Sequence, residues 1–245
     1  MQRGGKTVYG ATVGVLMLET QFPRVHGDMG NAGTWEFPVQ YRVVEGATPE
    51  RVVQGNPTEL TERFIAAGRE LVRAGCDGIT TTCGFLSLIQ EDVRSALGVP
   101  VATSSLMQVP MVQALLPAGK RCGVITVSET SLGAQHLVAA GAPPDTPVVG
   151  TDGGRCMTRD ILADRPEMDF EACRLDMIDA GKAMIQRHPD VGAIVLECTN
   201  MAPYARDLRK VTGLPVYSIY SFITWFHSGL QPRRFELDLD DPRHV

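Results

Sequence analysis

The chain has 245 residues, of which 44% are hydrophobic and 21% charged, and a formal net charge of −5. That length makes one large domain or two small ones with a real buried core. The negative balance excludes a general affinity for nucleic acid or anionic membrane, and no apolar run approaches the roughly 18 residues of a membrane span.

The N-terminus has a short basic start and no small-residue cleavage site behind a long apolar core, so a mature, cytoplasmic chain is expected. Residues 11–18 (ATVGVLML) read as a buried strand. Residues 21–38 are irregular, with three glycines and two prolines, and a loop this long in an α/β protein is usually functional. Its RVHGDMGN stretch, with Arg24, His26, Asp28 and Asn31, reads as a substrate lid or as a solvated turn-rich loop, and His26 is a candidate proton shuttle. A helix is predicted over 58–74, capped by Thr58 and closed by Gly75. A strand over 77–83 ends on Cys83, a helix over 85–97 follows, Gly98 breaks it, and VPVATS is the next strand. Then come a strand over 122–128, a helix over 129–140, a long helix over 168–187, a strand over 192–198 ending on Cys198, a helix over 201–211, and LPVYSI as the last strand. The tail FELDLDDPRHV either adds an edge strand or stays solvated. Strands alternating with helices predict an α/β protein with parallel sheets.

The chain repeats itself. From Cys83 to Cys198 the offset is 115 residues, and without a gap it sets Asp92 on Asp207, Arg94 on Arg209, Gly98 on Gly213, Pro100 on Pro215 and Val101 on Val216. Part of this is generic Gly-x-Pro turn chemistry, but the ungapped length and the matched cysteines point to a structural duplication. VGVLM at Val13 and CGVIT at Cys122 correspond as the opening strands. The expected division is 1–105 and 106–214, with 215–245 able to return to the first half.

Ligands of open parallel sheets bind beyond the carboxyl ends of the strands. Cys83 and Cys198 stand at such ends, so two halves related by a pseudo-twofold axis would bring both thiols to one cavity. Each precedes a helix N-terminus, which favours thiolate. One thiolate can remove a proton beside a carbonyl or carboxylate while the opposite thiol returns one, and the two titrations are then coupled. Hydroxyls and amides at the strand ends, from Thr82, Gly84, Ser128, Thr130, Thr199 and Asn200, are candidates to stabilise the carbanion. As single residues, these hydroxyls are as readily helix caps. The four lysines avoid the strand ends, no GxGxxG or P-loop follows a strand, and the six cysteines have neither CxxC nor zinc spacing. No cofactor and no metal are therefore expected, and the thiols are expected to be free.

TTTCGF around Cys83 and VLECTNMA around Cys198 resemble the cofactor-independent aspartate/glutamate/hydantoin racemase superfamily, over nearly the whole chain. The resemblance implies two Rossmann-like (flavodoxin-like) halves with parallel sheets, a pseudo-twofold axis, and an active site between them with a cysteine from each half. It also implies a homo-oligomer and a small carboxylate or hydantoin-like substrate. Amino-acid racemases of this group have Asn-Thr after the first cysteine, where this chain has Gly84 and Phe85. Glutamate racemases have an Asp at the end of the first strand, where Met17 falls, and a His near the second cysteine, where Asn200 falls. Phe85 and the 35–37 segment suit a larger or more apolar substrate, although aromatic residues are more often core, and Met17 is in the binding set.

The expected activity is racemisation or epimerisation of an amino acid or derivative by two-base proton transfer. The alternatives are a maleate-type cis–trans isomerase, a decarboxylase, against which the retained Cys83 argues, and a non-catalytic small-molecule binder.

Overall fold

In a computed structural model the protein is described over residues 3–235. The first half runs β1 (Val13–Leu18), β2 (Val39–Val44), α1 (Thr61–Ala74), β3 (Gly78–Thr81), α2 (Gln90–Leu97), β4 (Val101–Ala102) and α3 (Val109–Leu115). The second runs β5 (Arg121–Thr126), α4 (Ala134–Ala139), β6 (Val148–Gly150), α5 (Met157–Leu162), α6 (Phe170–Arg187), β7 (Val191–Leu196), α7 (Ala205–Thr212) and β8 (Val216–Tyr217), and α8 (Ile219–Leu230) closes the described chain.

The strands form two four-stranded sheets, ordered β2-β1-β3-β4 and β6-β5-β7-β8, and every pairing is parallel. Strand order is therefore identical in the two halves. The 115-residue offset carries through the elements. A 3-10 turn over Gly84–Ile89 maps on one over Thr199–Tyr204, α2 maps on α7, and β4 maps on β8. Gly98 and Gly213 end their helices with φ of 67° and 72°, a conformation that a side chain disfavours. The central strands are buried on both faces, so they read as continuous apolar runs.

The halves are stitched along a seam at the strand ends. Ser105 Oγ donates to the carbonyls of Leu196 (2.6 Å) and Glu197 (2.9 Å), and Thr199 Oγ1 donates to the Thr82 carbonyl (2.8 Å). β8 stays with the second sheet through β7. α8 then packs Ile219, Phe222 and Ile223 with Val13, Val15 and Met17 of the first sheet.

Several local expectations are corrected. Asn56, not Thr58, caps the entry to α1, because its side chain accepts from the Thr58 amide over a Pro57–Leu60 turn. The predicted helix at 129–140 forms only over Ala134–Ala139, since the Glu129 amide is drawn to Asp152 (2.6 Å). The last predicted strand shrinks to Val216–Tyr217 because Ser218 caps α8. The strand before Cys83 stops at Thr81 and the one before Cys198 at Leu196. The irregular region contains β2 from Val39 onward and a turn over Ala32–Thr34. The tail 236–245 lies outside the described residues.

Candidate active site

Three consecutive threonines place Cys83. Thr80 Oγ1 donates to the Ala102 carbonyl (2.8 Å), Thr81 Oγ1 to the Thr103 carbonyl (2.6 Å), and Thr82 Oγ1 accepts from the Leu18 amide (2.9 Å). Each hydroxyl ties the end of β3 to a neighbouring strand, so the chain leaves the sheet at a fixed point. Cys83 is the extended residue that opens the next 3-10 turn. Cys198 does the same after β7. Both thiols face one narrow, largely enclosed cavity, together with Leu18, Thr82, Glu197 and Asn200. Phe22 and Arg24 from the 21–38 loop, and Pro49, Val53, Val127 and Ile161, complete its walls.

The loop is ordered around a buried carboxylate. Asp28 accepts from Arg24 Nη1 (2.8 Å), from the Gly30 amide (2.7 Å) and from Asn200 Nδ2 (2.6 Å), so it joins the loop to the second cysteine's turn. Arg24 also donates to Thr20 Oγ1 (3.0 Å) and stacks over Phe22 at 4.6 Å. Cys198 Sγ donates to Asn200 Oδ1 (3.4 Å). His26 is exposed and lies against the Gly33 carbonyl, outside the cavity wall.

Of the residues singled out in the sequence, the structure gathers Cys83, Cys198, Thr82, Asn200 and Arg24 at the cavity. Gly84 lies against Glu197. Thr199 is buried on the seam with its hydroxyl committed to Thr82. Phe85 points into the core, edge-on to His136. Ser128 and Thr130 bond to each other, and Ser128 to Ser131 and Asp152, in the loop after β5. Met17 faces the other side of β1, among Met29, Trp35 and α8, while Leu18 points to the cavity. Among the described residues no group of three or more His, Cys, Asp or Glu side chains could hold a metal ion, and no helix is long and apolar enough to cross a membrane.

Sequence reasoning missed Glu197. It is 1% exposed and lines the same cavity as the two cysteines. Thr126 Oγ1 donates to its Oε2 (2.8 Å), while its Oε1 has no hydrogen-bond partner. Burial pushes its carboxyl up to about 7, against the pull of the Thr126 hydroxyl and the Val127 and Gly84 amides. It is the only carboxyl side chain in the apolar run VGAIVLEC, and that was the available signal.

The expected stabilisation of thiolate by the helix ends is corrected. Burial drives both thiols well above their ordinary value, and the Glu197 carboxylate adds to it. The amides of Phe85 and Leu86 and the Arg24 guanidinium oppose this at Cys83. At Cys198 the Asn200 amide opposes it, while Cys83 and Asp28 raise it further. Desolvation outweighs the partial charge of a short 3-10 turn, so both thiols rest neutral. All six cysteines are free and buried.

No protein-family model matches the chain. A dimethylsulfoniopropionate lyase from Durusdinium sp. clade D is 30% identical over 239 residues, covering 95% of this chain and 77% of that protein. Dimethylsulfoniopropionate lyase 7 of Emiliania huxleyi is 28% identical over 243 residues, covering 95% and 68%. Among solved structures, arylmalonate decarboxylase superposes with a TM-score of 0.57 at 14% identity (92% and 94% covered). Picrophilus torridus aspartate racemase gives 0.51 at 14% (93% and 96%), and the allantoin racemase of Pseudomonas fluorescens 0.54 at 15% (91% and 99%). These structures share the fold of the racemases. The sequence relatives overturn the expectation of an amino-acid racemase or epimerase, because the proteins alike along 95% of the chain are lyases.

Proposed function

The chain belongs to the dimethylsulfoniopropionate lyase family, and from that premise we propose that it is a lyase expelling a neutral sulfide from a β-sulfonio carboxylate, with dimethylsulfoniopropionate as its substrate. The observation that carries this reading is the meeting of two neutral thiols, a guanidinium and apolar walls in one enclosed cavity. The substrate has a carboxylate at one end and a sulfonium at the other. A proton on the carbon beside the carboxylate is removed by a base, the electron pair forms the carbon–carbon double bond, and the carbon–sulfur bond breaks. Dimethyl sulfide leaves with that bond's electrons, and acrylate and a proton remain.

Cys83 is assigned as the base. Two amides and Arg24 favour its thiolate, whereas Cys198 has one amide and the Asp28 carboxylate nearby. Elimination needs one base on one face, so the second thiol is free for another task. Cys198, held by Asn200, is placed as a neutral thiol against the substrate. Arg24 has donors left beyond those given to Asp28 and Thr20, and these suit a carboxylate. The apolar walls suit the two sulfonium methyls. A sulfonium bound in a dry cavity also lowers the neighbouring thiol's pKa, so substrate binding itself prepares the base.

The test is product analysis. The purified chain given dimethylsulfoniopropionate is expected to release dimethyl sulfide and acrylate in equal amounts. Turnover of the carboxylate with no volatile sulfide, or no turnover at all, sinks the reading.

A further inference from the structure

Under the 115-residue offset, Glu197 falls on Thr82. Thr82 does a structural task there: its hydroxyl accepts from the amide of Leu18, at the end of β1. In the second half the corresponding tie from the end of β5 is the Thr126 hydroxyl, which donates to Glu197 Oε2 (2.8 Å). A hydroxyl suffices for that task, and a buried carboxyl is a costly replacement. The chain makes room for it all the same. A β-carbon on residue 84 would lie 2.8 Å from Glu197 Cγ and 2.7 Å from its backbone oxygen, so only glycine fits. Oε1 is left without a partner at the cavity that holds both thiols.

We infer that Glu197 takes the Cys83 thiol proton before elimination, so that the buried site keeps one negative charge and moves it from carboxylate to sulfur. This rests on the reading of Cys83 as the base. Glu197 does not touch the substrate and acts through Cys83. The steps balance: the thiol proton goes to Oε1, the thiolate takes the substrate proton, and Glu197 later gives its proton to solvent. The other groups facing this pair are Cys198, the Thr126 hydroxyl from β5, and Arg24 and Asp28 from the loop, Asp28 reaching the site through Asn200. His136 lies behind Phe85, and burial holds it below its ordinary value.

Coupled groups give a distinctive pH profile. A thiolate made by transfer to Glu197 requires the carboxylate, so wild-type kcat/KM rises about tenfold per pH unit below the Glu197 break and is flat above it. Without the carboxyl the thiol proton must go to solvent, and the rise continues. The experiment measures kcat/KM for dimethyl sulfide release from pH 6 to 9 in wild type, Glu197→Gln, and Glu197→Thr, which copies the other half's residue. With the break at about 7, wild type gains about tenfold over this range, and both variants about 1,000-fold. A variant profile lowered evenly with the break kept assigns Glu197 a structural role and overturns the inference. The rate of Cys83 alkylation by iodoacetamide, read by peptide mass spectrometry without substrate, has the same two expected shapes. If wild type releases no dimethyl sulfide, the lyase reading fails, and the alkylation profiles alone decide the role of Glu197.

Discussion

The Glu197 carboxyl occupies the space that a side chain on residue 84 would fill: a β-carbon there would meet Glu197 Cγ at 2.8 Å. The two positions are therefore one packing unit. Gly84→Ala should destabilise the protein by about 1–3 kcal/mol in urea unfolding, the usual cost of overpacking a close contact. Adding Glu197→Ala to it should recover part of that loss. Strict additivity of the two changes would contradict the contact.

The same carboxyl should make stability depend on pH. Its folded-state pKa is raised by burial from the ordinary 4.5 to about 7. Between those values the folded protein holds a proton that the unfolded chain has released, so stability falls as pH rises from about 4.5 to 7 and its loss is complete above that. The contribution is about 3 kcal/mol, at about 1.4 kcal/mol for each pKa unit. Relative to wild type, Glu197→Gln should therefore gain stability as pH increases through this window, measured by denaturation at several pH values. An unchanged difference between the two proteins from pH 4.5 to 7 would refute it.

The two cysteines should not be equivalent in turnover. Cys198→Ala removes a neutral thiol beside Asn200 and should lower kcat/KM by about 10- to 100-fold, less than the loss expected for a general base. If Cys198→Ala is inactive while Cys83→Ala works, the roles are reversed.

Arg24 should act on substrate affinity. Arg24→Lys keeps the charge but loses the planar fork that serves Asp28, Thr20 and a carboxylate together. KM is expected to rise about 10-fold or more, with kcat changed less, in steady-state assays. A fall confined to kcat would take Arg24 out of carboxylate binding.

Much of the architecture was legible because the duplication is written in residues that must recur. Cys, Gly and Pro at 83, 98 and 100 recur at 198, 213 and 215, and each marks a strand exit, a helix stop or a strand entry. The meeting of the two thiols followed from that. What was not legible depends on three-dimensional surroundings. Met17 and Leu18 are adjacent, and which one faces the cavity is a matter of strand registration. The thiol ionisation was read with the wrong sign because helix ends show in a sequence and desolvation does not. Glu197 was passed over inside an apolar strand run. The racemase expectation came from motifs whose paired cysteines suggest proton removal from a carbon. Whether that proton returns or a leaving group departs depends on the substrate, and TTTCGF and VLECTNMA do not encode it.

The central claim is that Cys83 removes the proton that releases a sulfide. Purified wild type and Cys83→Ala, with matched folding by circular dichroism, should be compared for dimethyl sulfide release from saturating dimethylsulfoniopropionate. The account predicts release by wild type and a loss of about 1,000-fold or more in Cys83→Ala, within the range for a removed general base. Undiminished release by Cys83→Ala would contradict it.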